Sequence, residues 1–84
     1  MKIFKVTPQV EQLLIILKGE MPRTEIQEVL KMSNRENFRL KYLQPALNQF
    51  LIEMTIPDKP NSHLQKYHLT ARGIEMKNKI TFSD

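Results

Sequence analysis

Residues 51–56, Leu-Ile-Glu-Met-Thr-Ile, place Ile52, Met54 and Ile56 in alternation with Glu53 and Thr55. The pattern breaks at Pro57-Asp58-Lys59-Pro60-Asn61-Ser62, then resumes with Tyr67 and Leu69 alternating with Lys66 and His68. Period-two alternation on either side of a Pro- and Asn-rich stretch with no apolar residue is the signature of a β-hairpin. Its strands are expected over about 51–56 and 65–69. Two amphipathic stretches, 25–31 and 34–49, precede it and are separated only by Met32-Ser33. Helix, tight turn, helix, hairpin is an order that few small folds accommodate.

The first helix begins at Thr7-Pro8. The Thr hydroxyl can accept from a free amide, and Pro at the first helical position gives up a donor that has no partner there. Val10, Leu13, Leu14 and Leu17 fall at i, i+3, i+4 and i+7, which is one buried stripe. Gly19 offers a left-handed stop, so this helix is predicted over about 8–18. Residues 20–22 form a short extended link suited to a minor strand. The second helix is expected over about 23–31, with Ile26, Val29 and Leu30 inward. Pro22 occupies its capping position, and Thr24 with Gln27 can form a capping box one turn later.

Ser33 and Glu36 have capping-box spacing and set the start of the third helix. Pro45 removes a backbone bond and crowds the preceding turn, which predicts a kink, or a break with a restart. At about 100° per residue, Tyr42, Leu43 and Ala46 cluster on the core side with Phe38 at the margin. Leu47 and Phe50 are expected to join them after the bend. Leu40 stands apart, with Asn37, Lys41 and Gln44. Thr70 is placed to cap a last helix over about 71–79 that carries Ile74, Met76 and Ile80, and the tail 81–84 is expected to fray. The predicted core is Val10, Leu13, Leu14, Leu17, Ile26, Val29, Leu30, Leu43, Leu47, Ile52, Met54, Tyr67 and Leu69.

These elements define an α+β class: a winged helix-turn-helix, with a three-helix core, a C-terminal β-hairpin wing and a short last helix. Eighty-four residues make a single domain, 1–84, with its core over about 7–80. No cysteine is present, so disulfides and thiolate metal sites are excluded. No apolar run approaches the roughly 20 residues of a membrane span. The Met1 end shows no signal-peptide pattern, and a cytoplasmic location is expected. The last helix is too short for a long coiled coil, so a monomer or weak dimer is expected.

The net charge of +4 is unevenly spread. Residues 1–32 hold five basic and four acidic side chains, whereas 33–72 hold six basic and three acidic. The excess therefore lies on the third helix and the hairpin, where contacts to phosphates would need it.

Beyond pattern, the chain resembles a known bacterial domain. The likeness is carried by Gly19-Glu20-Met21, Asn37-Phe38-Arg39, Tyr42-Leu43-Gln44-Pro45-Ala46-Leu47 and the string Leu51 to Ser62. It continues through Leu64-Gln65-Lys66-Tyr67 and Leu69-Thr70 to Gly73. The domain it resembles is the winged helix at the C-termini of Fic/Doc-type proteins and of helicase-related transcriptional regulators with an AlbA- or Schlafen-type ATPase-like module. The resemblance implies a module of a larger protein, regulatory or targeting in role. Pro22 stands where that domain has a capping Ser, and Phe50 where it commonly has Gly, which argues against a simple left-handed exit from the third helix. Neither a His-Pro-Phe loop with Gly-Asn-Gly-Arg nor a Gly-x-x-x-x-Gly-Lys-Ser/Thr loop is present, and two glycines could build neither.

The chemistry expected is therefore binding rather than catalysis. His63 and His68 lack the further ligands that a metal needs, and Asp58 and Glu53 have no nearby nucleophile. No cofactor is expected. On the third helix, Asn34, Arg35, Asn37 and Lys41 are candidates for double-stranded DNA: Arg and Lys for guanine edges or phosphates, Asn for adenine. On the wing, Lys59, Asn61, Ser62, His63 and Lys66 suit the backbone or the minor groove. Arg39 falls near the core edge, where it could pair with Glu11 or Glu28. The alternative is a protein-interaction or dimerisation winged helix appended to a larger enzyme, using Leu40 and Phe50.

Overall fold

Thr7 caps the first helix as its side chain suggests: Oγ1 accepts from the Val10 amide at 3.2 Å, and α1 runs Pro8–Ile16. The computed structural model describes residues 6–82. Strand β1, Met21–Pro22, leads directly into α2, Arg23–Leu30. The third helix is built in three continuous parts: α3 (Arg35–Phe38), a π-helical turn (Arg39–Leu43) and α4 (Gln44–Asn48). Strands β2 (Ile52–Met54) and β3 (Lys66–Leu69) form the wing hairpin, and α5 (Ala71–Phe82) closes the order. The sheet is antiparallel with order β1-β3-β2, pairing Met21 with Tyr67 and Met54 with Tyr67 on its two sides.

The core gathers the α1 stripe Val10, Leu13, Leu14 and Leu17 around Ile26, Phe38, Tyr42, Leu43 and Ala46, with Leu51, Ile52 and Tyr67 beneath. Phe38, expected at the margin, is fully buried, its ring 5.6 Å from that of Tyr42. Leu30, Leu47, Met54 and Leu69 pack on this core half-buried. Val29 does not join it and is 50% exposed. The buried arc of α2 turns toward Ile26 and Gln27 instead. Gln27 is buried because Nε2 donates to the Met32 carbonyl at 3.1 Å and Oε1 accepts from the Arg23 guanidinium. Those bonds replace the expected Thr24–Gln27 capping box.

At Pro45 the α-helix restarts, as one of the two expected outcomes, with Gln44 and Pro45 opening α4 after a π-helical turn. The turn before it widens so that the Gln44 amide reaches back five residues to the Arg39 carbonyl, and the chain stays right-handed helical. This relieves the crowding that a proline ring causes in an α-helix. Phe38 and Leu43 would lie about 140° apart on an α-helix. The wider turn draws them together, and both are buried.

The exit of this helix also corrects the sequence expectation. Phe50 takes the left-handed conformation after all, with φ 59°, and is 73% exposed rather than in the core. Its amide donates to the Leu47 carbonyl and the Leu51 amide to the Ala46 carbonyl, the paired bonds of a Schellman motif. Leu51 takes the buried place. Lys31 ends α2 in the same way at φ 58°. By contrast α1 stops at Ile16, and the left-handed Gly19 shapes the bend into β1.

Thr70 joins wing to helix. Its Oγ1 accepts from the Gly73 amide at 3.0 Å and donates to the Phe50 carbonyl at 2.6 Å. Helix α5 is longer than expected, and residues 83–84 of the expected tail lie outside the described residues.

Candidate nucleic-acid interface

Helix-three geometry is set at its first turn. Asn34, not Ser33, is the cap: its Oδ1 accepts from the Asn37 amide at 2.8 Å. That bond occupies the acceptor with which Asn34 was expected to face a base. Arg35, Asn37 and Lys41 are exposed, and Leu40 is 53% exposed. Arg39 pairs with neither Glu11 nor Glu28. It reaches Glu36 on its own helix, 2.6 Å away. The hydrogen bond and charge of Arg39 hold the Glu36 carboxyl below its usual range.

The wing is pinned by a residue that sequence patterning passed over. Buried Gln65 accepts from the Ile56 amide at 2.8 Å and donates to the carbonyls of Ile56 and Lys59. By taking the main-chain groups of Ile56, it ends strand pairing before residue 56, so β2 is shorter than its apolar alternation suggests. Ser62 is structural as well, its Oγ accepting from the Leu64 amide at 3.1 Å. Lys59, Asn61, His63 and Lys66 are exposed around the loop. His68 faces Glu53 across the hairpin, with Nε2 3.6 Å from the carboxylate.

Between helix three and the wing runs a groove with two lobes, of about 270 and 370 Å³. Arg23, Arg35, Pro60, Asn61 and Tyr67 line both lobes. The first opens toward Ser62 and His63, the second toward Arg39, Leu43, Leu47 and Met54. The structure thus brings together four of the expected site residues: Arg35, Asn61, Ser62 and His63. Asn37 and Lys41 do not line the groove, and Asn37 lies about 200° round the helix from Arg35. Lys59 and Lys66 do not line the groove.

Arg23 and Tyr67 are among the groove residues that sequence reasoning did not assign to it. Arg23 had a signal: a cation in the first turn of a helix opposes the helix dipole, so its charge does not stabilise that helix end. Burial raises the Tyr67 phenol above its usual pKa, and the nearby Arg23 and Arg35 charges partly offset this.

Helix-turn-helix, three-stranded antiparallel sheet and hairpin wing together make this a winged-helix domain. The sequence pattern of the family described as "Filamentation induced by cAMP protein Fic-like, C-terminal domain" matches residues 8–70. A crystal structure of a Fic family protein from Desulfovibrio desulfuricans G20 is similar at TM-score 0.73 and 41% identity, covering 80% of this chain and 21% of that one. No curated protein matches. The chain belongs to the Fic-like C-terminal domain family, and it spans about a fifth of the solved Fic protein. Among the described residues, no helix is long and apolar enough to cross a membrane.

Proposed function

We propose that this domain is a non-catalytic DNA-binding module of a larger Fic-type protein. Helix three lies in the major groove and the wing on the flanking backbone. The observation that carries the proposal is that Arg35 of helix three lines one groove with Asn61, Ser62 and His63 of the wing, while Lys41, Lys59 and Lys66 are exposed on the same two elements. Among the described residues, none of Arg35 and these three lysines is in an ion pair with a carboxylate. Cations without such partners are available to displace counterions from phosphates. Asn37, whose side chain is exposed and whose amide alone is used by the cap, supplies base-reading capacity.

Charge removal at the two regions should differ in kind. Lys59→Ala and Lys66→Ala should weaken binding to all duplexes alike, each lowering the salt slope by about one. Asn37→Ala should narrow the gap between preferred and random duplex by about 1–3 kcal/mol for a bidentate contact. Unchanged affinity across all three variants would contradict the proposal.

The second reading is a protein-interaction module. It is favoured by exposed Leu40 and Phe50, which no described element covers. Under that reading, Leu40→Asp abolishes binding to a fragment of the larger protein and leaves DNA affinity as it was.

A further inference from the structure

The groove between helix three and the wing is more than a cationic surface. Three arginines from two helices, Arg23, Arg35 and Arg39, line its second lobe together with Leu43, Leu47 and Met54. Among the described residues, no carboxylate lies within ion-pair distance of Arg23 or Arg35. The single ion pair of Arg39 is on the surface, with both side chains about half or more exposed, and such pairs exchange readily. The apolar lining belongs to side chains packed on the core, so this end of the groove is preformed rather than assembled on binding. Its volume, about 370 Å³, falls at the lower end of the range for ligand pockets.

A nucleic-acid backbone would satisfy the arginines and leave the apolar lobe uncovered. A ligand matching both parts presents carboxylates beside a large apolar group. We infer that this groove docks an acidic peptide segment, with its carboxylates on Arg23, Arg35 and Arg39 and a Leu-, Met- or Phe-sized side chain on Leu43, Leu47 and Met54. Arginine forks suit carboxylates because two parallel N–H donors meet two oxygens. The inference goes beyond DNA binding and does not rest on it. Arg35 is the one residue that the two share.

The test is selection of a random nine-residue phage-displayed peptide library on the immobilised domain. Binding of the enriched peptides is then measured by fluorescence polarisation. Enriched sequences should carry Asp or Glu flanking a large apolar residue. Arg23→Glu should weaken them at least about fivefold. The dipole favours an acid in the first turn of α2, which offsets loss of the Arg23 bond to Gln27, and circular dichroism checks that the variant is folded. Leu47→Gln should also weaken them, whereas Lys59→Ala and Lys66→Ala should leave them unchanged. The lysine variants thereby separate failure of this inference from failure of the DNA proposal. An absence of acidic–apolar enrichment, or equal binding to Arg23→Glu, would overturn the inference. So would loss of duplex binding in Arg23→Glu with no peptide enriched, which would make the groove a phosphate clamp.

Discussion

Two backbone positions carry more of this fold than their side chains suggest. Phe50 holds a left-handed conformation that costs an L-residue roughly 1–2 kcal/mol, and its exposed ring gains little from burial. Phe50→Gly should therefore raise stability by about 1 kcal/mol, measured as a higher urea midpoint at unchanged slope. Gly73 is the converse case. A Cβ there would lie 1.9 Å from the Leu51 carbonyl oxygen, which already accepts from the Thr70 amide at 3.0 Å. Gly73→Ala should cost more than the roughly 1–3 kcal/mol of ordinary overpacking, because backbone rather than a mobile side chain must move. The α1 stripe was legible in the sequence because helix periodicity is local. The fates of Phe50 and Leu51 were not, since a left-handed exit exchanges which of two adjacent apolar residues turns inward.

At the scale of elements, the wing loop is ordered by one amide side chain. Gln65 meets backbone groups six and nine residues away, a spacing that no strand or helix period would reveal. Gln65→Ala should expose the Ile56 and Lys59 groups at a cost of about 1–3 kcal/mol. Amide exchange should speed up between residues 56 and 65 while α1 stays protected. Pro45 shows the same limit. The sequence announced a disturbance, and a π-helical turn with a restart at Gln44 resolves it, with both Phe38 and Leu43 buried. Strand β3 adds a pH dependence through Tyr67. Burial raises its pKa in the folded state, so its contribution is complete below the ordinary value of about 10. That contribution is lost as pH rises through the folded-state value. Tyr67→Phe should remove this part of the alkaline loss of stability, measured by urea midpoints across pH 9–11.

At the scale of the whole molecule, charge follows topology, with the basic excess on helix three and the wing. The winged-helix order placed these two in succession. The arginine groove was hidden because Arg23 and Arg35 begin separate helices and meet the wing only in the folded chain. The most direct measurement of the central claim is a polarisation titration of the wild-type domain on random duplex DNA at 50 and 200 mM salt. With Arg35, Lys41, Lys59 and Lys66 on phosphates, log affinity should fall with a slope of about −3 to −4 against log salt, roughly a hundredfold over that range. Absence of binding at both concentrations, or binding indifferent to salt, would contradict the DNA-binding account and leave the domain a protein-docking module.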